Sequence, residues 1–181
     1  FESATKLYPI YACQHQGVEV CLCQAPVGAA AAVQILDYLI SRGVTQVVST
    51  GACGVLSDLP ENQLLVPVSA LRDEGLSYHY LPPYREIAVP ATGVQAVEKA
   101  LLQAGLPFME VKTWTTDGFY RETEEMVRYR RAEGCQAVEM ECAGLAACAA
   151  FRGITWAMLL FSADTLADPS AYQARDWGKK S

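Results

Sequence analysis

Two glutamates, Glu139 and Glu141, precede a segment of small and apolar residues in AVEMECAGLAACAAF (137–151). At the end of an extended segment, side chains two residues apart point the same way. Inside a helix they would diverge by roughly 200° and could not share a ligand. A buried carboxylate needs hydrogen-bond donors, and a sugar diol supplies two of them. Capping of the following helix by acids near its N-terminus is the alternative.

A third acid, Asp164, closes the segment FSAD after the apolar run WAMLLF (156–161). The run predicts a buried strand, and the pKa of a carboxyl group at the end of such a strand is expected to rise. A carboxyl group that keeps its proton suits general-acid catalysis. A turn or N-cap aspartate for the following TLADPS is the alternative.

An aromatic pair, Phe119 and Tyr120, follows a turn-forming Asp-Gly in TTDGFYRET (115–123). Adjacent aromatic rings in a loop can stack on a flat heterocycle, and they can equally cover the core. The pair is therefore a candidate for binding a base.

The segment STGACG (49–54) follows a predicted strand and contains two glycines. Glycines permit a tight turn, and successive backbone N–H groups in such a turn can bind an anion. A plain strand-to-loop turn is the alternative. The candidate anion-binding residues are Gly51, Ala52, Cys53 and Gly54.

Turn residues divide the chain into alternating extended and helical segments, with no internal repeat or low-complexity linker. A strand at 18–27, a helix at 28–43 and a strand at 45–50 form a βαβ unit with a right-handed crossover. The other predicted elements are a strand at 63–71, a loop at 72–86, a helix at 94–104, a strand at 107–116, helices at 121–132 and 142–152, and a strand at 155–164. The alternation predicts an α/β fold in one domain, 1–181, with ligands bound at the carboxyl ends of the strands.

Both ends of the chain predict a fragment of a longer protein. The short strand candidate KLYPIYACQ has no unit before it, and the polar QARDWGKKS offers no helix to cover the last strand. We therefore expect terminal segments to be missing.

Composition narrows the classes of function. A net charge of −6 argues against a nucleic-acid partner. No segment reaches the roughly 18 to 20 apolar residues of a membrane span, and the start lacks a signal-peptide layout. Seven cysteines, several of them in apolar runs, predict buried thiols in a reducing cytoplasm. The CLC pair (21–23) lacks the second Cys or His pair of a metal site, so no metal is expected.

The ordered set of segments resembles the nucleoside phosphorylase family, which includes uridine phosphorylase, hexameric purine nucleoside phosphorylase and the adenosylhomocysteine nucleosidases. VEMECAGL (138–145) is similar to the family's Glu-Met-Glu and small-residue helix, and TTDGFY to its base-site segment. STGACG resembles the phosphate-side turn, RDEGLSYHYLP (72–82) a uridine phosphorylase loop, and APVGAAAA (25–32) the start of the first long helix. The resemblance implies a three-layer α/β/α fold with a central mixed, largely parallel sheet.

The resemblance also implies a ribose subsite. Glu141 would bind the ribose hydroxyls, with Met140 packed under the sugar and Glu139 alongside. Cleavage of an N-glycosidic bond passes through an oxocarbenium-like sugar, so negative charge near the ring stabilises the transition state more than the substrate.

A base subsite and a phosphate subsite follow from the same resemblance. Phe119 would stack on the base with Tyr120 near it, and Asp164 would protonate a purine at N7 as the bond breaks. Inorganic phosphate would be the co-substrate, bound by backbone N–H groups of residues 51–54. No metal or organic cofactor is implied.

Three departures from the family pattern bear on the reaction. Phosphorylases have an Arg two residues before the first Gly of the phosphate turn, and Ser or Thr one residue after it. Ser49 and Ala52 occupy these positions, and a serine does not replace a bidentate guanidinium. The family's first phosphate loop has no counterpart. The Gln-x-Arg that reads uracil is also absent, which favours a purine.

Phosphorolysis of a purine or broad-range ribonucleoside to free base and ribose-1-phosphate is the leading hypothesis. A nucleosidase that uses water and an inactive nucleoside-binding homologue are the alternatives. By resemblance we expect a role in purine salvage and a homo-oligomer built from dimers, with a hexamer among the options. The loop SYHYLPP (77–83) is a candidate interface or lid.

Overall fold

A computed structural model describes residues 1–3, 6–168 and 170, which contain eight strands and four helices. The strands are β1 (Ile10–His15), β2 (Val18–Cys23), β3 (Gln46–Val55), β4 (Leu64–Asp73), β5 (Glu86–Ala88), β6 (Phe108–Thr116), β7 (Ala137–Glu139) and β8 (Thr155–Thr165). The helices are α1 (Ala29–Ser41), α2 (Ala91–Gln103), α3 (Glu124–Ala132) and α4 (Cys142–Arg152). Short 3₁₀ turns lie at Ser77–His79 and Phe119–Arg121. Within the described ranges, no helix is long and apolar enough to cross a membrane.

Six strands form one mixed sheet in the order β5-β4-β6-β7-β3-β8. The two long pairings, β3 with β8 and β4 with β6, are parallel. β4 also pairs with β8 in antiparallel register through Leu64 and Leu65, so the sheet curls back on itself. β1 and β2 form a separate antiparallel hairpin. The βαβ unit predicted from the strand at 18–27, the helix at 28–43 and the strand at 45–50 is therefore wrong, because among the described residues β2 pairs with β1 and not within the sheet that contains β3.

Two apolar clusters separate the layers. The larger one packs α1, α2 and α4 against the sheet, and Trp156 and Leu65 are fully enclosed in it. The smaller one joins Trp114 and Leu56 to Val127 of α3. The expected three-layer α/β/α fold with a mixed sheet is therefore confirmed.

Strand β3 corrects the sequence analysis at its C-terminal end. The predicted strand ended at residue 50 and a turn was expected over 49–54, whereas β3 continues to Val55. β8 runs parallel beside it, and Gly51, Ala52 and Cys53 lie in register with Leu160, Phe161 and Ser162. The pairing of β3 with β8 outweighs the turn preference of the glycines. In place of the predicted turn, β3 has only a register shift between Cys53 and Val55.

Two further differences from the sequence analysis concern α3 and the loop 72–86. Helix α3 begins at Glu124 rather than at 121, because Thr123 is its N-cap and accepts a hydrogen bond from the Met126 N–H. The short strand β5 lies inside the predicted loop 72–86 and is held by antiparallel pairing to β4. Helix α4, in contrast, has the predicted bounds.

Gly93 sets how closely α2 approaches the sheet. A Cβ atom at this position would lie 2.2 Å from the Trp156 carbonyl oxygen. This contact involves backbone, which cannot rotate away as a flexible side chain can. The absence of a side chain therefore lets the first turn of α2 rest on β8.

We expect Gly93→Ala to destabilise the protein by about 1–3 kcal/mol, since overpacking outweighs the roughly 1 kcal/mol by which Ala favours a helix. Gly51→Ala is the control, because the nearest atom to its added Cβ is 3.9 Å away. Urea unfolding of both variants measures the difference. A Gly93→Ala variant as stable as the wild type would show that α2 moves away from β8 at little cost.

Candidate active site

The ends of β3, β7 and β8 meet at Gly54. Gly54 is paired with Val138 across the β3–β7 ladder. A Cβ atom at Gly54 would lie 3.0 Å from Val138 Cγ1 and 3.2 Å from Asp164 Oδ1. The missing side chain therefore lets the acid of β8 approach the strand that leads into Glu139.

Glu139 ends β7 with its carboxylate fully surrounded by donors. Oε2 accepts the backbone N–H groups of Glu141 at 2.7 Å and Cys142 at 2.6 Å. Oε1 accepts the hydroxyls of Thr115 at 2.6 Å and Thr113 at 3.3 Å. The carboxylate therefore caps the start of α4 and ties it to β6. Its role as a ribose ligand stays a prediction.

The pKa of Glu139 reflects two opposing effects. Burial raises this pKa to about 7, and the neighbouring Glu141 charge adds to the rise. Hydrogen bonds from Thr115 and from the two backbone N–H groups lower it. The net result of these effects is a pKa of about 7 for the Glu139 carboxyl group.

Glu141 has different surroundings from Glu139, because a bend at 140–141 separates β7 from α4. Its side chain is half-buried, and Oε1 accepts the backbone N–H of Gly28. Burial raises the pKa of Glu141, and the hydrogen bonds from Gly28 and Met140 oppose the rise. Met140 is half-buried beside it. Glu141 is thus the glutamate of the pair that is open to a ligand.

Gly28 is placed for this contact by its backbone conformation. It precedes α1 with φ of +93°, a region that L side chains rarely adopt. This conformation directs its N–H to Glu141 across 113 positions of sequence. The segment before α1 and the segment before α4 therefore form one wall of the site.

Phe119 and Tyr120 lie on the 3₁₀ turn that follows β6. Their rings meet edge to face with centroids 5.0 Å apart. Phe119 is 37% exposed and Tyr120 is 93% exposed, so Tyr120 does not cover the core. The Asp117 carboxylate accepts the Gly75 N–H at 2.9 Å and fastens this loop to the loop after β4. Phe119 is thus presented at the surface on an anchored turn.

Glu122 is a residue of this loop that sequence reasoning missed. It is half-buried, and desolvation together with the Asp164 charge raises its pKa to about 7. The same Asp164 charge, with that of Glu139, adds to the effect of burial in raising the pKa of the Cys53 thiol. Asp164 is 5% exposed. The charge of the β8 acid therefore acts both on the loop that follows Phe119 and on the end of β3.

The predicted anion-binding residues 51–54 lie in a strand, not in a turn. One edge of β3 is paired with β8, and within the described part of the chain no strand pairs with the other edge before Gly54. Ser49 accepts a hydrogen bond from the Trp156 indole N–H at 3.0 Å. Backbone groups on the unpaired edge are therefore the remaining anion donors, and phosphate binding there stays a prediction.

Comparison with known proteins places the chain in a family. The model of the phosphorylase superfamily matches residues 1–179. The chain belongs to the phosphorylase superfamily, whose members related to it are nucleoside phosphorylases and nucleosidases.

Individual relatives are similar at modest identity. The purine nucleoside phosphorylase DeoD-type proteins of Bacillus cytotoxicus and Bacillus cereus are each 26% identical over 136 residues, 73% of this chain. The matched part is 57% of the length of each relative.

Two solved structures share the fold. The AMP nucleosidase of Bacteroides thetaiotaomicron is 26% identical with a TM-score of 0.74, covering 86% of this chain and 69% of the other. The uridine phosphorylase of Vibrio fischeri ES114 is 21% identical with a TM-score of 0.82, covering 93% and 71%.

We expect Glu122→Gln to flatten the pH dependence of stability. The folded pKa of Glu122, about 7, exceeds the roughly 4.3 of an unfolded glutamate. The folded protein therefore binds this proton more tightly, and the contribution, complete at acidic pH, is lost as the pH rises through 7. The variant avoids this loss and should gain about 1–2 kcal/mol over the wild type between pH 5 and pH 8, after discounting for partial solvent exposure.

Urea unfolding at both pH values measures this change. Glu125→Gln, on the exposed first turn of α3, is the matched control and should follow the wild type. The same pH dependence of stability in Glu122→Gln and in the wild type would contradict the raised pKa of Glu122.

Proposed function

We propose that this protein cleaves the N-glycosidic bond of a purine ribonucleoside with inorganic phosphate, releasing the free base and ribose-1-phosphate. It is then a pentosyltransferase, with purine salvage in the cytoplasm as its role. The observation that carries this proposal is the buried carboxyl group of Asp164, which approaches Gly54 where β3 pairs with the strand that leads into Glu139 and Glu141.

Each subsite has a physical task in this reaction. Glu141 accepts hydrogen bonds from the ribose hydroxyls, and its charge stabilises the positive sugar ring as C1′–N9 breaks. The bonding electrons pass to the base, whose N7 takes a proton from Asp164. A phosphate oxygen then forms the new bond to C1′. Phe119 stacks on the base and orients it.

The unpaired edge of β3 supports a binding site for phosphate, the acceptor of the ribosyl group. In a parallel strand, alternate residues direct their N–H groups to opposite edges. Alternate residues of 51–54 therefore direct their N–H groups to the edge that β8 does not occupy, where the pairing with β7 begins only at Gly54. A phosphate bound there would lie at the end of the strand that meets Asp164 at Gly54.

Hydrolysis is a second candidate, favoured by Ser49. Its hydroxyl is used by the Trp156 indole, and no guanidinium occupies position 49. The similar AMP nucleosidase of Bacteroides thetaiotaomicron is by its name a hydrolase of such a bond. Water in place of phosphate would give free ribose.

The assembly is part of the proposal. Tyr120 is 93% exposed beside Phe119, and such a large aromatic side chain at the rim of a site suits contact with a neighbouring subunit. A homo-oligomer built from dimers would bury it.

The test is incubation with inosine, adenosine and uridine, with and without phosphate, followed by chromatography of base and sugar products. Base with ribose-1-phosphate, formed only when phosphate is present, is the expected result. Free ribose in both buffers would replace phosphorolysis with hydrolysis. Binding of nucleoside without any product would leave only a nucleoside-binding protein.

Two variants separate the roles of Asp164 and Glu141. Asp164→Asn should lower kcat/KM for a purine nucleoside by about 10²- to 10⁴-fold, since it removes the general acid. It should largely retain cleavage of p-nitrophenyl β-D-ribofuranoside, because nitrophenolate leaves without a proton. Glu141→Ala should slow both substrates, because both form the same cationic sugar.

The riboside serves as the control in the same assay, and Glu125→Gln controls for a loss of surface charge. Equal slowing of both substrates by Asp164→Asn would remove the acid role. Unchanged rates in Glu141→Ala would remove the ribose role.

A further inference from the structure

The start of α4 is not capped by the side chain of its own N-cap residue. Glu141 occupies the N-cap position, where a side chain ordinarily accepts a backbone N–H of the first helical turn. The Glu141 side chain makes no such hydrogen bond, and its carboxylate accepts the Gly28 N–H instead. The first N–H groups of α4 therefore need acceptors from elsewhere in the fold.

Glu139 and Thr115 provide these acceptors. Glu139 Oε2 accepts the backbone N–H groups of Glu141 at 2.7 Å and Cys142 at 2.6 Å. Thr115 Oγ1 accepts the next one, the Ala143 N–H, at 3.0 Å. Two side chains from outside the helix thus bind three successive N–H groups, and the Glu141 side chain is released from capping.

The Thr115 hydroxyl connects the two acceptors. Thr115 lies opposite Glu139 in the parallel pairing of β6 with β7, and its hydroxyl donates to Glu139 Oε1 at 2.6 Å. A hydroxyl has one proton to donate and two lone pairs that accept. Thr115 therefore serves the carboxylate and the Ala143 N–H at the same time, in surroundings where Thr115 is 0% and Glu139 6% exposed. Loss of the hydroxyl would leave each of them short of a partner.

The carboxylate of Glu139 is fully used by the protein. An ionised carboxylate offers about four acceptor positions on its two oxygens. Oε1 accepts the hydroxyls of Thr115 and Thr113, and Oε2 accepts the two backbone N–H groups at the start of α4. Donors of the protein thus take up all four positions, whereas the half-buried Glu141 is directed to the wall formed with Gly28.

We propose that Thr115 is a positioning residue for Glu141 and acts through the carboxylate of Glu139. This inference rests on the proposed function, in which Glu141 accepts hydrogen bonds from the ribose hydroxyls. Glu141 can face the sugar because Thr115 and Glu139 cap α4 in its place. The substrates that depend on Thr115 are therefore nucleosides with free ribose hydroxyls.

Thr113 offers a matched comparison on the same strand. It lies two residues before Thr115, so both side chains point to the same face of β6, and both are fully buried. Its hydroxyl donates to the same Glu139 oxygen over a longer distance, 3.3 Å. Among the described residues, the Thr113 hydroxyl accepts no N–H of α4, so its removal leaves the first turn of the helix capped.

The experiment compares kcat/KM for inosine with kcat/KM for 2′,3′-dideoxyinosine, which lacks the hydroxyls that Glu141 would bind. Their ratio reports hydroxyl recognition and does not change when part of the enzyme is unfolded. Thr115→Val removes the hydroxyl and should lower this ratio by about tenfold or more, since a misplacement of about 1 Å can cost about 10²-fold in rate. Thr115→Ser retains the hydroxyl and should keep the wild-type ratio, as should Thr113→Val.

Three further results decide the role of Thr115. Glu141→Ala is the positive control and should lower the ratio at least as far as Thr115→Val. If Thr115→Val does not fold, Thr115→Cys replaces it, and its weakly hydrogen-bonding thiol should lower the ratio in the same direction. An unchanged ratio in the Thr115 variant, or an equal fall in Thr113→Val, overturns the positioning role and leaves the reaction intact.

Failure of the proposed reaction gives a different result. If neither nucleoside is cleaved, the dissociation constants of inosine and 2′,3′-dideoxyinosine replace kcat/KM in the same comparison. Tighter binding of inosine that is weakened in Thr115→Val and kept in Thr115→Ser supports the positioning role. Equal binding of the two nucleosides by the wild type, or no binding, overturns it together with the ribose role of Glu141.

Discussion

The buried carboxylate of Glu139 is the constraint on which the site depends. Hydrogen bonds to a charged group contribute about 1.5–3 kcal/mol each, and Glu139 accepts four, from two hydroxyls of β6 and two backbone N–H groups at the start of α4. Thr115 extends this network by accepting the Ala143 N–H at 3.0 Å. The direction in which α4 leaves the sheet is thereby fixed, and with it the position of Glu141.

The site concentrates carboxyl groups in partly desolvated surroundings. Glu122, Glu139 and Glu141 all have raised pKa values, with desolvation as the largest cause in each case. Such an arrangement costs stability in the empty protein, and in the proposed reaction it would favour a sugar that becomes cationic in the transition state. In their ionised form these groups would repel a phosphate dianion, so the proposed phosphorolysis requires compensating donors along β3. Water is neutral and carries no such requirement, so the acceptor decides whether those donors are needed.

Local patterns in the sequence determined the long elements well. The apolar small-residue run of α4 and the buried run of β8 were predicted nearly to the residue, since neither contains a competing turn signal. The glycines of β3 were misread because their pairing with β8 is a long-range contact that no local pattern reveals. Three-residue β5 is too short to carry a periodicity.

The candidate site was predictable in part for the same reason. Glu139 and Glu141 stood out through their apolar neighbours, but the bend that gives them separate surroundings depends on hydrogen bonds to β6. Glu122 lies in a charged stretch and looks like a solvated residue in the sequence. Only the fold brings it to Asp164, so its spacing of three residues from Phe119 was the one signal that pointed to it.

Two free cysteines differ in how readily an alkylating reagent reaches them, and this difference can report on opening of the sheet. Cys53 is buried at the meeting point of β3 and β8, where desolvation and two nearby carboxylates keep its sulfur protonated. Cys13 lies exposed on the hairpin. Alkylating reagents react with the thiolate, so Cys53 is modified only when the sheet opens. The labelling rate of the exposed Cys13 measures the reactivity of the reagent alone. The ratio of the two labelling rates therefore measures how often the part of the sheet around Cys53 opens to solvent.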